Sequence, residues 1–120
     1  MNGSVIELVP VNIDNDKIRI LRLGGRKVHT KGSYICKKAV KLFGKDMQEM
    51  IFIEECGELF QALSKKRRGF KGANIAEEIA DVEIALEQLK HIHKCHLEVE
   101  RWKEKKLMRL CGRIEEYIKK

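Results

Sequence analysis

The chain has one proline, Pro10, in 120 residues. Together with 43% hydrophobic and 36% charged residues, that scarcity suits a helix-rich globular protein better than a disordered or secreted one. No apolar run approaches the roughly 20 residues that span a bilayer, and no basic segment followed by an apolar stretch opens the chain in the manner of a signal peptide. A soluble, cytoplasmic protein without a membrane partner is the expectation. The four cysteines, Cys36, Cys56, Cys95 and Cys111, form no CxxC pair, so free thiols are expected rather than a disulfide framework. Repeats of solenoid period and low-complexity tracts are also missing.

What is present is charge, unevenly placed. The sequence is 43% hydrophobic and 36% charged, with a formal net charge of +7. Between Asp46 and Leu89 ten acidic residues face five basic ones, so this middle is net −5 and the remainder +12. A basic protein with an acidic focus suits one that holds a metal ion and attracts a polyanion, although basicity alone also fits a nucleic-acid-binding module.

The length corresponds to one domain with a modest core, which a partner subunit would help to bury. Residues 1–32 read as a β-like arm: VIELV (Val5–Val9) and KIRILRL (Lys17–Leu23) are partly alternating, with Gly24-Gly25 as a turn. From Ser33 onward the periodicity becomes helical, defining a helical domain over 33–120. Ser33 is placed to cap a short helix that Gly44 ends, and Asp46 with Glu49 resembles a capping box for a long helix to about Arg68, stopped by Gly69. Asn74 and Glu77 form a second such box before a helix to about His93. A charged last helix carries Trp102, Leu107, Leu110, Ile114 and Ile118 as its apolar stripe. The short FKGA connection makes the two central helices antiparallel neighbours. The fold class is therefore all-α, a helical bundle with a small β-like N-terminal arm.

The stretch IEECGELFQA (Ile53–Ala62) mixes carboxylates with apolar residues. At about 100° per residue, Phe52, Cys56, Leu59, Phe60 and Leu63 form one broad apolar face, and Glu54, Glu55 and Glu58 fall among Met47, Ile51 and Ala62 on the other side. On the following helix Glu78 lies within the Ile75/Ile79/Val82/Leu86 stripe, with Asp81 three residues on. Like charges at such spacing repel, and carboxylates in a low-dielectric groove cost far more unless neutralised. Two pairs on adjacent helices would surround one point, where a divalent cation relieves the repulsion. Ligands that are all oxygen select a hard ion, Mg²⁺ or Mn²⁺, over Zn²⁺.

The double motif, E-E-x-x-E at Glu54, Glu55 and Glu58 followed by E-x-x-D at Glu78 and Asp81, resembles the signature of the MazG-like superfamily of all-α nucleoside triphosphate pyrophosphohydrolases. The likeness extends over IEECGELFQALSK and NIAEEIADVEIALEQL and is densest from Asp46 to Leu89. It implies that Glu55, Glu58, Glu78 and Asp81 bind Mg²⁺, with Mn²⁺ as a substitute, and that Glu54 orients or deprotonates the attacking water. It also implies cleavage of a nucleoside triphosphate between its α and β phosphates, to monophosphate and pyrophosphate, in a homodimer or dimer of dimers. Lys65, Arg68, Lys106 and Arg109 are the candidate cations for the phosphates.

Each assignment has a plainer alternative. Clustered glutamates are commonly solvated surface, and Lys65–Arg68 is also a run that a helix C-terminus favours through its dipole. Glu49, Glu77, Glu83 and Glu87 read as capping or surface residues. HIHKCH (His91–His96) suggests zinc, but positions two apart on a helix do not face each other and the usual second ligand pair is missing, so no zinc site is expected. Trp102 reads as a packing residue, with base stacking as the alternative. A catalytically inactive metal-binding assembly protein is the remaining functional alternative to the hydrolase and the nucleic-acid binder.

Overall fold

The computed structural model describes the backbone of residues 6–13, 16–23 and 26–29, and the chain from Lys31 to Lys120 with its side chains. The N-terminal segments are three strands, β1 (Ile6–Ile13), β2 (Asp16–Leu23) and β3 (Arg26–His29), in one antiparallel sheet of order β1-β2-β3. The arm is thus larger than one hairpin: β1 runs past Val9 through Pro10, which stands opposite Arg19. Proline lacks the N–H that an interior strand would donate to its neighbour, and β1 is an edge strand, where that side can face solvent. Val5 and the Gly24-Gly25 turn lie outside the described residues.

Four helices make up the rest: α1 (Lys31–Phe43), α2 (Lys45–Arg67), α3 (Ile75–His93) and α4 (His96–Lys119). The protein is an all-α helical bundle from Lys31 onward, and α2 packs most extensively on α3, with α1 against both. Gly44, at φ 94°, separates α1 from α2 without interruption by a loop. At its C-terminus α2 closes in a Schellman arrangement, in which Phe70 N donates to Lys65 O (2.9 Å) and Gly69 N to Lys66 O (3.0 Å). Gly69 holds φ 86°, a conformation that an L side chain resists. Asn74 caps α3 by accepting from Glu77 N at 3.1 Å.

Two expected caps do not form. The first helix begins at Lys31, so Ser33 lies inside its first turn and its hydroxyl reaches α3 instead. The second begins at Lys45, immediately after Gly44, and carries no side-chain cap. Asp46 is therefore already helical, and Glu49 pairs with His93 across the bundle at 2.9 Å.

The core of the helical part is small. Cys36, Val40, Ala62 and Ala85 are its buried apolar residues, joined by buried Gln48. On α2 the fully buried positions, Gln48 and Ala62, belong to the side that carries the glutamates, whereas Phe60 and Leu63 of the broader apolar face are 66% and 42% exposed. The α4 stripe of Trp102, Leu107, Leu110, Ile114 and Ile118 is exposed throughout, because α4 makes at most marginal contact with the other helices. All four cysteines are free thiols, and Cys36 Sγ donates to Ile84 O at 3.5 Å. Among the described residues no helix is long and apolar enough to cross a membrane.

Candidate metal centre

The α2 side that faces α3 follows a three-four spacing: Gln48, Ile51, Glu55, Glu58, Ala62, Lys65. Its counterpart on α3 runs Glu78, Asp81, Ala85, Gln88. These are the seam positions of a heptad, which normally hold apolar residues. Gln48 Nε2 donates to Gln88 Oε1 across the seam. In an antiparallel pair, that register sets Glu55 against Asp81 and Glu58 against Glu78, with the small Ala85 opposite Ile51. Small residues at the buried positions, Ala62 and Ala85, let the two helices approach closely enough for the acidic side chains to meet.

They do meet. Glu55, Glu58, Glu78 and Asp81 each offer a carboxylate oxygen, and the four oxygens lie within 4.8 Å of one another. Glu55, Glu78 and Asp81 are half-buried, and Glu58 is exposed at the mouth. Glu55 Oε2 and Glu78 Oε2 are buried oxygens with no hydrogen-bond donor. Burial lifts the Glu55 carboxyl above the ordinary carboxylate range; the charges of Glu58, Asp81 and Glu78 add to the shift, as does a hydrogen bond with Asp81. Glu78 is raised in the same sense, first by burial and then by Glu58, Asp81 and Glu77.

An arrangement that pushes carboxyls towards their neutral forms and strands two buried oxygens is unsatisfied as it stands. The donor set is all oxygen, with multiple negative charges and one exposed edge, which matches a hard divalent cation that keeps part of its water shell. The residues present can therefore hold a metal ion.

The other candidate residues are placed less closely together. Glu54 is exposed on α2 beside Glu55. Lys65 continues the seam stripe seven residues beyond Glu58, about 10.5 Å along the axis. Arg68 is engaged at the helix end, where its Nε donates to Ser64 O at 3.4 Å and its guanidinium lies 5.1 Å from the Phe70 ring centroid. Lys106 and Arg109 ride on α4, which makes at most marginal contact with α2 and α3; Lys106 lies over the Trp102 ring at 5.7 Å. Trp102 itself is 56% exposed and so packs in no core among the described residues.

A second cluster was not legible from spacing. Glu87, read as a capping or surface residue, is half-buried and sits with His91 and His96, one ligand atom from each lying within 4.8 Å of the others. Comparison of the chain with family models, curated proteins and solved structures finds no match.

Proposed function

We propose that this protein hydrolyses a nucleoside triphosphate at the bond between its α and β phosphates, giving the monophosphate and pyrophosphate, with Mg²⁺ held by Glu55, Glu58, Glu78 and Asp81. The observation that supports this reading is the convergence of those four carboxylates around two buried oxygens that no protein donor satisfies. The ion, when bound, neutralises phosphate charge and lowers the pKa of a coordinated water.

The chain's own residues supply the rest. Glu58, at the open edge, leaves the ion accessible to phosphate oxygens. Glu54, one residue from Glu55 and four from Glu58, is exposed and unconstrained by the seam, and takes the proton of the attacking water. Lys65 presents a positive charge on the same stripe, where charge develops on the departing pyrophosphate. The excess of positive charge outside the acidic middle draws a polyanionic substrate to the surface. A homodimer or dimer of dimers would cover the exposed apolar faces of α2 and α4 and give Lys106 and Arg109 a second chain's site to reach.

The test is product analysis. The pure protein is incubated with a panel of canonical and modified nucleoside triphosphates, with and without Mg²⁺, and monophosphate, diphosphate, orthophosphate and pyrophosphate are separated. Mg²⁺-dependent release of pyrophosphate is the expected outcome. Orthophosphate release would place the cleavage elsewhere, and Mg²⁺-indifferent, salt-sensitive binding to DNA or RNA without turnover would favour the nucleic-acid-binding alternative. Saturable Mg²⁺ binding without hydrolysis of any substrate would leave an inactive metal-binding protein.

A further inference from the structure

At the C-terminus of α3 the backbone turns sharply. Lys94 adopts the left-handed conformation (φ 51°, ψ 46°), and Cys95 N donates back to Lys90 O at 3.1 Å. This turn brings His96, the first residue of α4, over the last turns of α3. His96 Nε2 lies 2.6 Å from Glu87 Oε2, and His91 Nε2 lies 3.3 Å from the same oxygen. Ser33 of α1 adds a hydroxyl 2.7 Å from Glu87 Oε2 and 3.0 Å from His91 Nε2. The imidazole rings meet edge to face at 64°, with centroids 4.4 Å apart. Three helices thus direct two imidazole nitrogens, a carboxylate oxygen and a hydroxyl at one place.

We propose that Glu87, His91 and His96 form a binding site for a borderline divalent cation of the zinc class, distinct from the carboxylate cluster. The chemistry of the donors carries the assignment. Two imidazoles and one carboxylate suit Zn²⁺, Co²⁺ or Ni²⁺, whereas an oxygen-only set suits Mg²⁺. Ligands about 2.0 Å from a tetrahedral ion stand about 3.3 Å from one another, the spacing already held by Glu87 Oε2 and His91 Nε2. The shorter His96–Glu87 distance is that of a hydrogen bond, so an ion takes the place of a proton there and the pair opens by about 0.7 Å to reach the same tetrahedral spacing.

The surroundings suit a ligated metal. Glu87 Oε1 is held by Lys90 at 3.3 Å, which orients the carboxylate and leaves Oε2 facing the histidines. Asp81 lies six residues before Glu87 on α3, about 9 Å along the axis, so the two centres are separate. His91 and His96 also line a cleft of about 940 Å³ with Lys37, Lys41, Lys45 and Lys94. The lysines of the cleft would draw an anion towards an ion held there.

Cobalt titration of the full chain distinguishes the two centres. One equivalent of Co²⁺ is expected to give the intense visible bands of a four-coordinate site, bleached by Zn²⁺, retained in Glu58→Gln, and at least tenfold weaker in apparent affinity in His96→Asn. A weak six-coordinate spectrum only, or intense bands that survive in the His91→Asn/His96→Asn double variant, would overturn the proposal and leave Ser33, Glu87 and the histidines as a hydrogen-bonded latch. Should the histidine variants unfold, ring ¹⁵N resonances of the wild type decide. Zn²⁺ is expected to shift His91 and His96 but not His93, which pairs with Glu49; unmoved His91 and His96 resonances would equally refute the site.

Discussion

Gln48 Nε2 donates to Gln88 Oε1 across the α2–α3 seam, one heptad from Glu55 on its own helix and one heptad from Asp81 on the other. This polar pair occupies positions that an ordinary helical pair fills with leucine, and Gln48 is 5% exposed. A single polar pair in a seam fixes register at a cost in stability. Register is what the acidic cluster needs, since a slip of one residue turns each side chain by about 100° and disperses the carboxylates.

Replacing Gln48 by Ala leaves Gln88 without its partner and is expected to destabilise the fold by about 1–3 kcal/mol in urea unfolding. The Gln48→Leu/Gln88→Leu double variant should recover most of that loss, because an apolar pair of similar shape has no unmet hydrogen bond. Its Mg²⁺ affinity should nevertheless fall, since the register is no longer specified. Equal stability and unaltered Mg²⁺ affinity in the double variant would show that the pair sets nothing.

Glu58→Gln removes a charged ligand from the open edge of the cluster without changing its size. The Mg²⁺ concentration for half-maximal pyrophosphate release should rise by about tenfold or more, a range set by the effect of disturbing a metal's supporting ligands. Activity that is unchanged at limiting Mg²⁺ would remove Glu58 from the ligand set.

The raised carboxyls give a metal-free pH signature. Glu55 and Glu78 hold their protons in the folded chain to a higher pH than the ordinary 4.5, so the folded state binds more protons than the unfolded state across that window. Stability contributed by these groups falls as pH rises through it and stays low above it. The stability advantage of Glu78→Gln over the wild type should therefore grow with pH from about 4.5 and then level off, as measured by thermal unfolding in EDTA. Mg²⁺ should erase the advantage. Glu87 contributes in the opposite sense: burial raises it, but hydrogen bonds from His96 and Ser33 and the charges of His96 and Lys90 outweigh that and hold it low. Its share is lost on acidification through that lowered value, which is why the difference between variant and wild type is the quantity to follow.

Lys94 is the single described non-glycine residue at positive φ. A left-handed backbone costs an L residue roughly 1–2 kcal/mol relative to glycine. Lys94→Gly should stabilise the chain by up to about 1 kcal/mol after glycine's greater unfolded-state entropy is subtracted, whereas Lys94→Val should destabilise it. Calorimetric melting of the three proteins would reveal both signs.

The carboxylate site was legible because its residues obey helix geometry. Glu55 and Glu58, like Glu78 and Asp81, are three apart, and the short connection after Gly69 forces their helices together. The inward orientation of α2 was harder to read, since a broad apolar face competes with a stripe of glutamates, glutamine and alanine, and close packing favoured the small residues. The first helix starts three positions before the one that Ser33 would cap, and the second starts two positions early because Gly44 ends one helix and begins the next, which leaves Asp46 and Glu49 no capping role. HIHKCH was weighed as a zinc site and set aside, and Glu87 was read as a capping or surface residue; the grouping of Glu87 with His91 and His96 was missed for a backbone reason. A left-handed lysine carries no local signal of the kind that glycine or asparagine gives, so nothing in the spacing indicates that His96 folds back over α3.

The turn at Lys94 has a mechanical consequence. Beyond it α4 runs 24 residues with hardly any lateral support, a rod of about 36 Å. Its heading is governed by one pair of backbone torsions and the His96 tether. Rotating that joint by 10° would sweep the far tip through about 6 Å, so whatever grips or releases the joint steers everything mounted on the rod, Lys106 and Arg109 included.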